Sequence, residues 1–268
     1  MIELIQITND PVFTRRCDAL PGFRVFVDLE RLGKAERQAG RNTFISAHSL
    51  EDVGRIRRVL RHSPLMVRVN PLNDDTPAEV ESVLAGGADQ LMLPMFEQPR
   101  HLQDFARLVA GRVPIVALLE TSAALQCLDE WIATPGLAEV YVGLNDLHLS
   151  LGHRFMFEPL ALGLVDRVAA AAARHGLRFG FGGIARAGEG MLPGRDVLAE
   201  HLRLGSGSVI LSRTFHRGED SEAFEAEVAK LRQAEQDLAG RTPAQVESDA
   251  RRIAALIRRI AAGMDPVA

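Results

Sequence analysis

Short apolar runs rich in Val, Ile, Leu and Phe recur along the chain, and between most of them lie longer stretches with apolar residues at three- and four-residue spacing. Runs of four to eight apolar residues suit buried strands, and the longer period suits amphipathic helices. The pattern predicts strands over Ile2–Thr8, Phe23–Leu29, Thr43–Ala47, Leu65–Asn70, Gln90–Pro94, Ile115–Glu120, Glu139–Leu144, Phe179–Gly182 and Ser208–Ser212. It predicts helices over Leu50–Arg61, Pro77–Ala85, Pro99–Ala110, Ala123–Ile132, Leu160–His175 and Arg195–Leu204. Ser49 with Asp52 and Thr76 with Glu79 read as capping boxes, while Gly86–Gly87, Gly111 and Gly176 read as helix stops.

Strand and helix in alternation argue for parallel strands joined by helical crossovers, and so for a (β/α)8 TIM barrel with extra C-terminal helices. Nine runs compete for eight places, and Thr43–Ala47 is the weakest. A doubly wound open sheet is the other candidate, but no Gly-rich dinucleotide fingerprint follows an early strand. After the last run the pattern changes to two helices, Ser221–Leu238 and Pro243–Ala262, split by Gly240–Pro243. The expected division is a barrel over 1–218 and a helical extension over 219–268, packing on the barrel or on a neighbouring subunit of a homo-oligomer.

Composition narrows the classes. The 268 residues are 47% hydrophobic and 25% charged with a net charge of −4, which suits a single barrel and gives no long-range pull on nucleic acid or an anionic membrane. Arginines at 55, 57, 58 and 61 and at 251, 252, 258 and 259 follow helical spacing and read as solvated faces. Cys17 and Cys127 are too few for a disulfide framework. The opening Met1–Gln6 has no basic stretch before a long apolar core, and no apolar run reaches the length of a membrane span, so a cytoplasmic protein is expected.

Candidate chemistry sits at the C-terminal ends of three runs, the face where barrel active sites are built. Glu120 closes Val113–Thr121, Asp146 closes Val140–Leu147, and Arg68 stands late in Leu65–Pro71. Two carboxylates and a guanidinium on one mouth suit a divalent ion and a small anionic substrate. Each residue has a plainer role open to it: a helix cap for Glu120, an Asx turn for Asp146, a structural ion pair for Arg68. The glycines of Phe179–Arg186 bring backbone amides close to a ligand or simply permit tight packing, with Arg186 as a second anion clamp. His101, His175 and His201 read as helix-surface residues, and Gly205–Ser208 as a turn or a phosphate site.

Five segments in order carry a resemblance: Phe26–Glu30 (FVDLE), Val67–Pro71 (VRVNP), Gly87–Pro94 (GADQLMLP), Leu118–Thr121 (LLET) and Gly143–Gly152 (GLNDLHLSLG). Together they resemble the HpcH/HpaI aldolase and citrate lyase family of the phosphoenolpyruvate/pyruvate barrel superfamily, from about Val25 to Phe215. The resemblance implies Mg2+ or Mn2+ held by Glu120 and Asp146, and Arg68 on the carboxylate and enolate oxygens of a pyruvate-like 2-oxo acid. It also implies cleavage or formation of a carbon–carbon bond beside that carbonyl, with the small 2-oxo acid or its aldol adduct as partner.

An enolate forming beside a ketone needs fixed positive charge, which a metal and an arginine supply and a lysine Schiff base replaces. The two lysines, Lys34 and Lys230, lie off the predicted strand ends, which favours the metal route. In the aldolase branch a His follows the Asp-x-Glu of the second strand; here Asp28 and Glu30 are present but Arg31 takes that place. His48 and His148 are the candidate replacements as acid/base, with Asp28 and Glu30 in support. Backbone amides at Leu144 and Asn145, with Arg186, complete the expected substrate contacts. A citrate-lyase-like enzyme acting on an acyl-CoA adduct and a non-catalytic barrel that binds small acids are the alternatives.

Overall fold

The computed structural model describes residues 1–34, 47–216 and 221–264. Its strands are β1 (Glu3–Ile7), β2 (Phe23–Asp28), β3 (Leu65–Arg68), β4 (Gln90–Leu93), β5 (Ile115–Leu119), β6 (Leu137–Val142), β7 (Arg178–Ile184) and β8 (Ser208–Leu211). They close into a barrel in chain order, as a (β/α)8 fold requires. Most of their residues are buried, every one of them in β2 and β5, because a parallel barrel strand is covered on both faces. The expected strand Thr43–Ala47 lies outside the described residues, apart from Ala47. Among the described residues no helix is long and apolar enough to cross a membrane.

By contact the chain divides into two compact units, Glu3–Tyr141 and Val142–Ala268 with Met1–Ile2. In the first, parallel pairing sets Val25 against Leu65 and Asp28 against Arg68, then Arg68 against Met92, and Leu93 against Ala117. Arg24 on β2 ion-pairs with Glu139 on β6 at 2.7 Å and with Glu3 on β1. Strands β2 and β6 are not neighbours in the barrel order, so that contact crosses the interior. Side chains alternate along a strand, so Phe26 and Asp28 share the inward face of Arg24.

Helix ends in this unit follow the sequence only in part. Ser49 and Asp52 form the expected capping box on the helix Leu50–Arg57. Thr76 does not cap: its helix starts at Thr76 itself, its hydroxyl accepts the Asn73 N–H, and Glu79 reaches the Asn70 backbone and side chain instead. The expected helix over Ala123–Ile132 breaks at Cys127 into Ser122–Gln126 and Leu128–Trp131. A helix at Pro11–Asp18, capped by Asp10, was not expected from the pattern.

In the second unit, Leu144–Ser150 is a helix, so the run Val140–Leu147 is not one strand; it turns at Gly143. β7 carries an irregularity between Gly180 and Gly183. There Gly182 has φ +55°, and a Cβ on it would come within 2.9 Å of the Leu144 side chain, so this glycine serves close packing. His201 corrects its surface assignment: it is fully buried, stacked on Phe181 at 3.8 Å, with Nδ1 2.8 Å from the Ser206 hydroxyl. Burial pushes its pKa down to about 3.

The helices Ser221–Ala239 and Pro243–Ala262 join this unit through buried Leu231, Ile253 and Ile257. Arg252 grips Asp196 through two nitrogens, Arg241 donates to the Ala199 carbonyl, and Glu235 accepts the Ile2 N–H.

Candidate active site

The inner ends of β2 and β3 carry a compact charge cluster. Arg68 grips Asp28 through Nε and Nη2, both at 2.8 Å, and its Nη1 lies 3.2 Å from Glu30 Oε2. The strand register that sets Asp28 beside Arg68 makes this two-point contact possible. Phe26, one inward position below Asp28, holds its ring 5.7 Å from the guanidinium carbon. A two-point grip uses two of the five N–H groups of an arginine and fixes its plane. The Arg68 side chain keeps 13% exposure while Asp28 and Glu30 are almost sealed, so the guanidinium is the member of the cluster with an open edge.

Electrostatics follow the geometry. Burial pushes the Asp28 carboxyl up, but the Arg68 and Lys34 charges and hydrogen bonds outweigh it and hold it well below the usual carboxylate range. Burial disfavours the Arg68 charge, yet Asp28, Glu30 and Glu120 more than offset this and raise its pKa. The pair stays ionised across any physiological pH.

His48 is buried, and its Nδ1 accepts the Asp28 backbone N–H at 3.0 Å. That bond places the ring proton on Nε2. Burial lowers the pKa further, ahead of the opposing pull of Asp28 and Asp52. Arg31, at the place of the missing imidazole, instead ties the β2 loop together: its Nη2 donates to the His48 carbonyl at 2.8 Å, and its backbone N–H to Asn70 Oδ1 at 2.9 Å.

Lys34 is the residue that sequence reasoning missed. It was set aside because it lies off the strand, but the chain turns back and brings Nζ to 2.7 Å from Asp28 Oδ2 and 3.4 Å from Glu30 Oε2. The four-residue spacing from Glu30 was the available signal. The Lys34 amine is thus engaged by two carboxylates and is not free at the cluster.

Glu120 follows β5 directly and is buried; its Oε1 accepts the N–H of Met95, which sits at φ +53° just past β4. The helix cap here is the neighbouring Thr121, whose hydroxyl accepts the Ala124 N–H, so the plainer role for Glu120 is taken by another residue.

In the second unit, Asp146 is half-buried in the first turn of the helix Leu144–Ser150, four residues past β6 and not at the strand end expected for it. Leu144 and Asn145 open the same helix, and the first N–H groups of a helix lack partners within it. His148 is buried with Nδ1 3.1 Å from the Leu144 carbonyl, one turn back on its own helix. Arg186 follows β7, with its backbone N–H on Thr214 and Nη1 3.7 Å from Glu189.

The donor chemistry suits a hard cation. Glu120 and Asp146 offer carboxylate oxygens, while Asp28 and Glu30 are already paired with Arg68 and Lys34. Mg2+ and similar ions are commonly held by one or two carboxylates with the remaining positions left to water and substrate. Among the described residues no three His, Cys, Asp or Glu side chains form a metal cage.

Comparison with known proteins extends this. The family model for HpcH/HpaI aldolase/citrate lyase matches residues 25–178, more than half of the chain. A (3S)-malyl-CoA thioesterase from Cereibacter sphaeroides is 31% identical over 118 residues, covering 43% of this chain and 41% of that protein. The chain thus aligns with less than half the length of the curated relatives it matches.

Among solved structures, an HpcH/HpaI aldolase from Desulfitobacterium hafniense DCB-2 superposes with a TM-score of 0.61 at 17% identity over 90% of this chain and 95% of that one. A citrate lyase beta subunit from M. tuberculosis, complexed with oxaloacetate and magnesium, gives 0.57 at 19% over 87% and 96%. At these identities the structural likeness carries the fold. The ordered motifs, the closed barrel and the matched family model agree, and the chain belongs to the HpcH/HpaI aldolase/citrate lyase family.

Proposed function

We propose that the chain is a divalent-metal-dependent carbon–carbon lyase that cleaves or forms the bond next to the carbonyl of a pyruvate-like 2-oxo acid. The observation that carries this reading is the Arg68 guanidinium, fixed by Asp28 and Glu30 at the strand ends and left partly exposed. Glu120 and Asp146 would hold Mg2+ or Mn2+, which when bound supplies a Lewis acid for the carbonyl oxygen.

Arg68 aims its remaining N–H groups at the oxygen where negative charge grows. Its carboxylate clamps keep it from reorienting, and fixed donors of this kind contribute several kcal/mol. The amides of Leu144 and Asn145 take the substrate carboxylate, as helix N-termini do, and Arg186 adds a second contact for an anionic adduct. His48 holds its proton on Nε2 and serves as a donor beside the cluster, since Asp28 already occupies its Nδ1.

A second reading draws on the similarity to the (3S)-malyl-CoA thioesterase: the same acids acting on a CoA ester of a hydroxy acid. Incubation with Mn2+ and a panel of 4-hydroxy-2-oxo acids, following pyruvate by a coupled dehydrogenase, tests the first. Pyruvate release abolished by EDTA is the expected result. Release of free CoA from malyl-CoA without pyruvate from any adduct would favour the second. Tight oxalate binding with no turnover of either class would mark a non-catalytic acid-binding barrel and sink both.

A further inference from the structure

The chain has only two lysines, and one of them is buried in the charge cluster. The Lys34 side chain keeps 4% exposure, although burying an ammonium costs several kcal/mol unless partners repay it. Its partners are the very oxygens that Arg68 uses. Asp28 Oδ2 lies 2.7 Å from Lys34 Nζ and 2.8 Å from Arg68 Nη2; Glu30 Oε2 lies 3.4 Å from Lys34 Nζ and 3.2 Å from Arg68 Nη1. Two cations and two carboxylates alternate around a square.

That arrangement has a consequence for anion binding. With Arg68 alone, two buried carboxylates would face one guanidinium, and the strand ends would carry a net negative charge against an incoming acid. Lys34 brings the square to neutrality and shares both oxygens, so the positive charge of Arg68 is not spent twice over. We infer that Lys34 is a positioning residue that sets the affinity of Arg68 for an anionic substrate, acting through Asp28 and Glu30. This rests on the metal-and-oxo-acid reading above.

The test compares two ligands on the full chain: Mn2+ alone, and oxalate in the presence of Mn2+, each by isothermal titration. In Lys34→Met the site gains one negative charge, so oxalate weakens on the order of tenfold or more while Mn2+ alone binds at least as tightly as before. Lys34→Arg keeps the charge and restores oxalate affinity to within a few fold. Lys34→Gln, which keeps a donor but no charge, behaves as Lys34→Met and stands in for it where that variant fails to fold.

Opposite movement of the two ligands is the signature, because a merely structural lysine would lose both together. Oxalate binding unchanged in Lys34→Met and Lys34→Gln, or both ligands weakened in parallel, overturns the role of Lys34. Failure of the unmodified chain to bind either ligand overturns the metal-and-oxo-acid reading itself, and the inference with it.

Discussion

Strand β2 carries a buried guanidinium network at each end of its inward face, and the two are built for different ends. At Arg24 the charge is sealed, with no exposure, between Glu3 and Glu139. Four residues on, Asp28 and Glu30 are equally buried, but they hold an arginine that keeps an open edge and they recruit a second cation. A sealed network can act only on stability. One with an open guanidinium trades some of that stability for a charge that a ligand can reach. Burial alone therefore does not separate structural from functional ions in this barrel; the exposure of the cation does.

The contrast breaks most sharply under truncation of each arginine. Arg24→Met strands the buried Glu139 in the interior, and loss of one partner of a buried pair costs about 3–5 kcal/mol. Urea unfolding should show a loss of this size, with oxalate affinity of the folded variant within about twofold of the unmodified chain. Near-native stability would mean that the floor network is idle.

Arg68→Lys keeps the charge but loses the two-point fork. Turnover should fall by about 10²–10³, the scale set by removal of one fixed donor to a developing oxyanion, and the unfolding midpoint should move far less than in Arg24→Met. Unchanged turnover would return Arg68 to a purely structural ion pair.

A smaller effect comes from His201, buried in the second unit against Phe181. Its folded pKa, about 3, lies below the ordinary 6.5, so between those values the unfolded chain binds a proton that the folded chain refuses. Its contribution to stability is therefore complete above pH 6.5 and is lost as the pH falls below it. Between pH 7.5 and 5.5 this group alone should remove about 1.4 kcal/mol. His201→Asn, which keeps a partner for Ser206, should flatten the pH dependence by that amount; identical slopes in the two proteins would assign the acid sensitivity elsewhere.

The same two regions show what the sequence makes legible. Strands such as β3 to β5 stand out because they are almost unbroken apolar runs, and Pro243–Ala262 is bounded as expected because Thr242 and Gly263 mark its ends. Pro11–Asp18 was missed because it has little apolar periodicity, and Leu144–Ser150 because its residues continue the apolar run of β6 across the turn at Gly143. Asp28, Glu30 and Arg68 were readable from their places at strand ends. Lys34 was not, because its contact depends on how a loop returns, and His201 was not, because a polar side chain on a helix reads as surface even where Phe181 covers it.

The most direct test is a crystal of the chain soaked with Mn2+ and oxalate, a planar mimic of the pyruvate enolate. The expected result is one manganese bound by the carboxylates of Glu120 and Asp146, with oxalate bridging from the metal to the N–H groups of Arg68. Manganese bound elsewhere, or oxalate that leaves Arg68 untouched, would contradict the lyase assignment.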